Sequence, residues 1–370
     1  MKRLFITACI LCICFYSTAQ NAHSIIPKPA FISYPHSSEP FVLDNKQTIF
    51  YSASFKDQAD YLKQAILKQT GIELEIRKSS DVKNRSTTGI NLILIATSNN
   101  SPEQYELNVN KQNIDIQFHD LRGLVNGIQS LLQLMPIGQF NAAKISPIHI
   151  EDQPRFAYRG MHLDVVRHIF PVSYIKKYID YLAFHKFNTF HWHLTDDQGW
   201  RIEMNAYPKL NSIGSFRKET LIGHFKDSPA QYDGTRYGGF YTKAEIKEII
   251  QYASIRAITV IPEIDIPGHS RAAIAAYPEL STKPDTIWNV ATTWGMYNRQ
   301  NNVLAPKPAT FRFLEKVFDE VVALFPSPYI HVGGDECSKI WWKQDPATQA
   351  FMKENGLKNE TALQTYFIEF

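Results

Sequence analysis

Two adjacent carboxylates follow an apolar run in HVGGDEC, residues 331–337. Because neighbouring side chains on a strand point to opposite faces, Asp335 and Glu336 can address one site only where a strand ends and the backbone turns. Gly333 and Gly334 permit such a turn. One of two close carboxyl groups holds its proton more tightly, which suits it to general acid catalysis beside an ionised neighbour. The motif alone fits a helix N-cap equally well.

A second acidic cluster occurs in LTDDQGW, which contains Asp196, Asp197 and Trp200. A carboxylate at this position can orient a histidine or bind a sugar hydroxyl, and the indole can stack on an apolar sugar face. The alternative is a capping acid followed by one core tryptophan.

A third cluster, IPEIDIPGHS, presents His269 on a Pro-Gly turn close to Glu263 and Asp265. A single histidine is usually structural, but one placed beside two acids can orient or tune a catalytic carboxylate. The segment DVVRH adds Arg167 and His168. The planar guanidinium of Arg167 can hold vicinal hydroxyls, or it can form a salt bridge to an acid such as Asp265.

A metal site is a further alternative, because His191 and His193 lie two residues apart on one face of FHWHL. Asp196, His269 and Asp335 could supply the remaining ligands. Histidines hydrogen-bonded to buried acids in a barrel interior explain the same pattern, and we expect no metal and no cofactor. The sequence contains no phosphate loop, no G-x-S-x-G motif and no H-E-x-x-H motif.

The clusters follow strands in a regular alternation of strand and helix patterns that begins near Pro154. This alternation predicts a parallel sheet, and a barrel of such units places its chemistry at the carboxyl ends of the strands. The strands are GMHLDVV, NTFHWHL, ITVIPEI and YIHVGG, and the helices are VSYIKKYIDYLAFHKF, KAEIKEIIQYASIRA and TFRFLEKVFDEVVALF.

The predicted fold is therefore α/β, a (β/α)8 TIM-type barrel preceded by a small α/β domain. A complete barrel has eight units in about 250 residues, so only about the first half is present, and we expect a fragment. The predicted domains are a signal peptide at 1–19, an accessory domain at 20–152 and an incomplete catalytic barrel at 153–370.

The first residues have a basic tip, a short apolar stretch and small residues, which is typical of a secretory signal and too short to span a membrane. Cys9, Cys12 and Cys14 lie within it, so its removal leaves only Cys337 and no intramolecular disulfide. We expect a secreted or periplasmic protein. The alternative is a lipid anchor at Cys9.

The charge balance excludes two classes of partner. The formal charge is +3, and without Lys2 and Arg3 of the signal segment 37 basic residues face 36 acidic ones. Such a balance predicts neither a nucleic-acid interface nor a basic membrane patch.

Five motifs, in order DVVRH, HWHLTDDQGWRIE, YGGFYT, IPEIDIPGHSRAA and HVGGDEC, resemble those of the family-20 glycoside hydrolases, the β-N-acetylhexosaminidases. The resemblance extends from Ile25 to the end of the chain. It implies an exo-acting hydrolase that removes terminal N-acetylglucosamine or N-acetylgalactosamine from oligosaccharides or glycoconjugates. In this family the substrate itself supplies the nucleophile.

The resemblance also implies roles for individual residues. Glu336 would be the acid and base, and Asp335 would orient the acetamido group. Arg167 would bind the 3- and 4-hydroxyls of the sugar. Asp196 and His269 would hold and tune Glu336, and we group Asp265 with these supporting residues.

Family members complete the acetamido pocket with tryptophans, a tyrosine and an acid from the second half of the barrel, beyond Phe370. Trp341 and Trp342 follow the acidic pair too closely to be assumed equivalent. We therefore expect the isolated chain to be inactive or poorly folded and its full-length parent to be a hydrolase. The competing hypotheses are a non-catalytic glycan-binding protein and a metal-dependent hydrolase that uses His191 and His193.

Overall fold

The computed structural model describes residues 25–35, 39–79, 88–95 and 101–370. The predicted signal peptide and Cys9, Cys12 and Cys14 lie outside the described residues.

The amino-terminal domain is built on a seven-stranded mixed sheet with strand order β1-β9-β6-β7-β5-β3-β4, and β2 pairs separately with β8. Its strands are β1 (Phe31–Ser33), β2 (Phe41–Asp44), β3 (Thr48–Tyr51), β4 (Glu75–Lys78), β5 (Gly89–Leu94), β6 (Tyr105–Val109), β7 (Asn113–Phe118), β8 (Ala142–Ile145) and β9 (Ile148–Asp152). Helices α1 (Lys56–Thr70) and α2 (Leu121–Leu134) pack on this sheet and on each other.

Helix α1 buries one face, on which Ala59, Leu62 and Ile66 recur at helical spacing. It ends at Gly71, whose φ of 77° is a left-handed conformation that glycine adopts without strain.

The second domain contains the parallel strands β10 (Gly160–Asp164), β11 (Thr189–Asp196) and β17 (Thr259–Ile264), separated along the chain by helices α3 (Val172–Phe184) and α4 (Lys243–Ile255). The loops contain the short strands β12 (Gly199–Trp200), β13 (Phe216–Arg217), β14 (Leu221–Ile222), β15 (Gln231–Tyr232) and β16 (Tyr237–Gly238). The remaining helices are α5 (Arg271–Ala276), α6 (Pro308–Leu324), α7 (Ile340–Lys343), α8 (Pro346–Glu354) and α9 (Glu360–Glu369). No helix among the described residues is long and apolar enough to cross a membrane.

The run predicted as a fourth strand lies beside β17, as expected, but it pairs only briefly. A parallel bridge joins Glu263 to His331, and His331 exchanges backbone hydrogen bonds with Pro262 and Ile264 at 2.9 and 3.0 Å. The pairing is short because the chain turns at Gly333, where φ is 63°. This arrangement is that of successive units of a TIM-type barrel.

Strand β11 divides its side chains between two environments. Phe190, Trp192 and Leu194 belong to the hydrophobic core formed with the helices. His191 and His193 alternate with them and point to the opposite face. The strand therefore has an apolar face toward the helices and an ionisable face toward the barrel interior.

Buried ion pairs join the two domains. The ammonium group of Lys186, which is 3% exposed, lies 2.8 Å from Asp152 Oδ2 and 2.8 Å from the hydroxyl oxygen of Tyr105. Arg159 contacts Glu103 at 2.6 Å.

Candidate active site

The carboxylate of Asp196 lies at the centre of the strand ends. It is 1% exposed. Its Oδ2 accepts a hydrogen bond from His193 Nε2 at 2.8 Å and lies 2.7 Å from Arg167 Nη2. Its Oδ1 accepts from His269 Nδ1 at 2.9 Å and from the backbone N–H of Asp197 at 2.6 Å. The fold thus brings three of the predicted site residues into direct contact.

Ion pairing affects the pKa values of His269, His193 and Asp196 more strongly than burial does. Burial alone would lower the pKa of His269, but Asp196 and Asp197 raise it to about 12. Burial alone would likewise lower the pKa of His193, which the carboxylates of Asp196 and Glu263 raise to about 10. Burial would raise the pKa of Asp196, yet its cationic partners hold that pKa well below the ordinary 3.8. Both histidines are therefore imidazolium ions at neutral pH.

One nitrogen of His269 faces the acidic pair. Nε2 is buried and has no hydrogen-bond partner among the described residues, and it lies 3.7 Å from Asp335 Oδ2 and 3.7 Å from Glu336 Oε2. The ring is held by an unusual backbone, because φ of His269 is 46°. A Cβ on the preceding Gly268 would lie 3.1 Å from the backbone of Asp335 and of Cys337, so the two turns pack closely.

The acidic pair does not cap a helix. The next helix begins at Ile340 and has Lys339 as its N-cap residue, so the capping interpretation is wrong. The side chains of Asp335 and Glu336 are 71% and 62% exposed. Glu336 has a φ of 42°, a left-handed backbone conformation that is uncommon for residues other than glycine.

The turn before the pair requires glycine at position 333. A Cβ on Gly333 would lie 1.9 Å from Asp265 Oδ1. We expect Gly333→Ala to lower stability more than Gly356→Ala does, because Gly356 has a similar φ of 65° but nothing within 4 Å of its Cβ position. The shared backbone strain costs about 1 kcal/mol, and thermal unfolding of the two variants measures the excess. Equal destabilisation would contradict the predicted clash.

Asp265 supports this turn and does not pair with Arg167. Its Oδ1 accepts a hydrogen bond from the backbone N–H of Gly334 at 3.0 Å, and its own N–H donates to Thr195 Oγ1 at 3.0 Å. Burial is the main cause that raises the pKa of Asp265 to about 8. The suggested salt bridge between Asp265 and Arg167 is therefore corrected, and Asp265 acts by holding the backbone ahead of the acidic pair.

Arg167 is placed by the residue that ends β10. Asp164 Oδ1 accepts from the backbone N–H groups of Val166 and Arg167, and Oδ2 lies 2.9 Å from Arg167 Nη1. The Nε–H donates to Gln198 Oε1 at 3.0 Å. Burial alone would lower the pKa of Arg167, but Asp196 and Asp164 outweigh it and raise that pKa. Its side chain remains 39% exposed and borders a cavity.

The cavity beside Arg167 has a volume of about 330 Å³. Its walls include Arg167, Gln198, Phe225, Trp294, Tyr297 and Glu336. Phe225 packs edge-on against Trp294 with ring centroids 4.5 Å apart. Sequence reasoning missed Phe225, Trp294 and Tyr297, which lie in loops without periodic pattern, and it also missed Gln198, although that residue lies within the quoted LTDDQGW motif. Asp164 lies within the quoted DVVRH motif, so that signal was available.

The histidines of the suggested metal site contact a carboxylate directly. Glu263 Oε2 lies 2.7 Å from His191 Nε2 and 2.7 Å from His193 Nδ1. Two ligands of a tetrahedral zinc ion at 2.0–2.1 Å are about 3.3 Å apart. The observed distances fit hydrogen bonds and ion pairs, so the geometry favours histidines paired with a buried acid.

Other residues from the quoted motifs belong to the core. Trp200 is 4% exposed and packs against Phe313, so it cannot stack on a sugar in this structure. Trp342 is fully buried and stacks on Phe367. Cys337 is buried, and burial is the main cause that raises its pKa to about 11.

The fold and the strand-end carboxylates define a barrel of the glycoside hydrolase class. The chain matches "Glycosyl hydrolase family 20, catalytic domain" over residues 156–370 and "Glycosyl hydrolase family 20, domain 2" over residues 22–153. The chain belongs to glycosyl hydrolase family 20.

Similar proteins agree with this assignment. A beta-hexosaminidase of Porphyromonas gingivalis is 39% identical over all of this chain and 47% of its own length. The crystal structure of an exo beta-N-acetylglucosaminidase from Vibrio harveyi, in complex with N-acetylglucosamine, has a TM-score of 0.77 at 33% identity, covering 92% of this chain and 51% of that one. A chitobiase of Flavobacterium johnsoniae has a TM-score of 0.74 at 32% identity, covering 93% and 49%. The chain spans about half the length of these relatives.

Proposed function

We propose that the protein containing this chain is an exo-acting β-N-acetylhexosaminidase. It hydrolyses terminal non-reducing N-acetylglucosamine or N-acetylgalactosamine residues of oligosaccharides and glycoconjugates, with chitobiose, the disaccharide of N-acetylglucosamine, as a small substrate. Family membership and the activities for which the relatives are named support this proposal.

The observation that carries the proposal is the position of the acidic pair. Glu336 lines the 330 Å³ cavity, and both it and the exposed Asp335 have an oxygen 3.7 Å from Nε2 of the buried His269 imidazolium. His269 therefore gives both carboxylates a fixed cationic neighbour. A general acid that later acts as base needs such a group after it has released its proton.

In the proposed mechanism the substrate supplies the nucleophile. Its 2-acetamido carbonyl oxygen attacks the anomeric carbon as the glycosidic bond breaks, and the carboxyl proton of Glu336 passes to the leaving oxygen. Asp335 accepts a hydrogen bond from the acetamido N–H and stabilises the positive charge of the oxazolinium ion. Water then attacks the anomeric carbon and Glu336 takes its proton. The oxazolinium ring opens, and the anomeric configuration is retained. Arg167 binds sugar hydroxyls at the cavity wall.

The substrate preference of the complete protein tests this mechanism. We expect release of the aryl group from an aryl N-acetyl-β-glucosaminide and no comparable release from the matching β-glucoside. The reason is that the glucoside lacks the acetamido nucleophile, and an intramolecular nucleophile is worth a large effective concentration. Steady-state kinetics with both substrates measures the ratio. Equal cleavage would refute the substrate-assisted mechanism.

The two competing functions are tested on the same preparation. A non-catalytic glycan-binding protein would bind N-acetylglucosamine in calorimetry without turnover of any aryl glycoside. A metal-dependent hydrolase using His191 and His193 would lose activity in a chelator, whereas we expect activity to be retained.

We also propose that the protein is secreted or periplasmic, on the basis of the signal-like residues 1–19. Amino-terminal sequencing of the exported protein should find a start near Gln20. A lipid-modified amino terminus at Cys9, seen by mass spectrometry, would establish the anchored alternative instead.

A further inference from the structure

A second ionisable cluster lies inside the barrel, behind the residues used in the mechanism. Glu263, whose side chain is 6% exposed, contacts His191 Nε2 and His193 Nδ1 at 2.7 Å each. In the register between β11 and β17, His193 lies directly opposite Glu263. His193 also donates from Nε2 to Asp196. It is therefore the link between this interior acid and the active-site network.

We propose that Glu263 and His193 are positioning residues for Glu336, acting through a chain of alternating charges that runs from Glu263 through His193, Asp196 and His269 to the acid and base. The proposal rests on the proposed function, because it concerns the group that moves the proton. It assigns a role in catalysis to two residues that touch no substrate.

Neighbouring side chains in this charge chain are in direct contact, except at the last step. The distances are 2.7 Å from Glu263 to His193, 2.8 Å from His193 to Asp196, 2.9 Å from Asp196 to His269 and 3.7 Å from His269 to Glu336. The first contact has the length of a hydrogen bond but not its alignment, so it is an ion pair. A bound saccharide can shorten the last step, since catalytic hydrogen bonds are often long in unliganded sites.

The chain fixes the orientation of His269 through Asp196. The His193 cation takes Oδ2 of Asp196, which leaves Oδ1 for His269 Nδ1. With Nδ1 engaged there, Nε2–H of His269 is directed at the acidic pair. Without the His193 cation on Oδ2, the Asp196 carboxylate would hold the His269 ring less firmly in this orientation, and Glu336 would then lose its fixed partner.

Several charged groups face Glu263 and His193 from the neighbouring strands. His162 on β10 has its Nε2 3.8 Å from Glu263 Oε2 and its ring centroid 5.6 Å from that of His193. Burial, together with the neighbouring histidines, lowers the pKa of His162, so it is neutral at neutral pH. His191 on β11 contacts Glu263 as described, and His331 Nδ1 lies 3.3 Å from Glu263 Oε1. None of these three bridges to Asp196 in the described structure.

Other charged groups face Asp196 and His269. Arg167, from the loop after β10, lies 2.7 Å from Asp196. Asp197 Oδ2 lies 3.3 Å from His269 Nδ1, and Asp265 interacts with His269 at longer range. Asp196 and His269 therefore keep some partners when Glu263 is changed. We expect Glu263→Gln to alter the proton affinity of His193 rather than to abolish the hydrogen bonds and ion pairs of Asp196 and His269.

The test uses Glu263→Gln in the complete protein, followed by imidazole nitrogen NMR and by the pH dependence of kcat. The unaltered protein should keep His193 protonated until alkaline pH, because it lies between two carboxylates. Removing one of them should lower the pKa of His193, so that kcat acquires an additional ionisation at lower pH and falls about 10-fold above it.

His191→Gln is the matched control. It removes an imidazole that contacts the same Glu263 oxygen at 2.7 Å, but it makes no contact with Asp196. We expect it to leave the pH profile of kcat and the titration of His193 nearly unchanged. If His191→Gln shifted the pH profile of kcat as much as Glu263→Gln does, any change in the interior cluster would affect catalysis. That result would overturn the proposed charge chain.

A pair of variants at position 193 covers the case in which Glu263→Gln fails to fold. The amide nitrogen of Gln can take the place of Nε2 of His193, so His193→Gln can donate to Asp196. The amide nitrogen of Asn can take the place of Nδ1, so His193→Asn can donate toward Glu263. Neither spans both acids. We expect both to lower kcat by about 10-fold with little change in KM, since a positioning defect acts on the chemical step.

Failure of this proposal is distinct from failure of the proposed function. A His193 that titrates near the ordinary value of about 6.5 in the unaltered protein overturns the chain even if the enzyme is active. An unchanged pH profile in Glu263→Gln overturns it as well. If the protein releases no aryl group from an N-acetylglucosaminide, the proposed function fails, and the NMR titration still decides whether the charge chain exists.

Discussion

Replacing Glu336 with glutamine in the complete protein is expected to lower kcat for an N-acetylglucosaminide by about 10²–10⁴-fold, the usual contribution of general acid and base catalysis. Glutamine keeps the size and the φ of 42° but cannot release a proton. It also cannot accept one from water in the second step. Binding should change little, because in the proposed mechanism Arg167 and the cavity walls hold the sugar.

The leaving group separates this role from a general disturbance of the site. A dinitrophenyl group departs readily without protonation, so its release should be affected less in the first step by Glu336→Gln than release of a sugar or a methoxy group. Glu354→Gln, at the exposed end of α8, is the matched control and should keep full activity. A Glu336→Gln enzyme that cleaves an unactivated substrate at the normal rate would remove Glu336 from the mechanism.

The positions of the strand-end clusters were predictable because a barrel obeys simple geometry. Alternation along β11 places His191 and His193 opposite Trp192, and the structure has that division. The carboxyl ends of parallel strands meet at one edge, so Arg167, Asp196 and His269 were expected to converge, and they do.

Pairing partners were less predictable, because they depend on register. The contact between His193 and Glu263 exists because these residues are opposite each other in β11 and β17. A single sequence does not fix this register, since shifting one strand by two residues would preserve its alternation. For the same reason Arg167 was expected to pair with an acid, yet Asp265 was named where the structure has Asp164 and Asp196.

The cavity walls were not predictable from periodicity at all. Phe225 and Trp294 come from different loops, and their contact at 4.5 Å depends on how two long connections fold over the strand ends. Such loops have neither a helical nor a strand pattern to count. Their aromatic residues therefore became candidates only when the structure placed them beside Arg167 and Glu336.

The largest effect on stability is expected for Asp196→Asn. The carboxylate is 1% exposed and contacts Arg167, His193 and His269, so its loss leaves three cations facing an uncharged amide. Removing one partner of a buried ion network costs about 3–5 kcal/mol. In a domain of this size that corresponds to a lower unfolding midpoint by on the order of 10 °C. Asp285→Asn, at an exposed loop position, should leave the midpoint unchanged.

The pKa values of these groups predict the direction in which stability changes with pH. The folded pKa values of His193 and His269, about 10 and about 12, lie above the unfolded value of 6.5. Their contribution to stability is therefore complete below pH 6.5 and is lost as pH rises toward 10 and 12. The lowered pKa of Asp196 acts oppositely, since its contribution is present above pH 3.8 and is lost in stronger acid.

The unaltered protein should thus lose stability between pH 6.5 and 9 as the unfolded histidines release their protons. Asp196→Asn should lose less over the same interval, because without that carboxylate the folded histidines bind their protons less tightly. Thermal unfolding followed by circular dichroism at several pH values measures both slopes. Parallel curves for the two proteins would show that Asp196 does not hold the protons on His193 and His269, and would leave their pairing with Glu263 and Asp197 as the source of the slope.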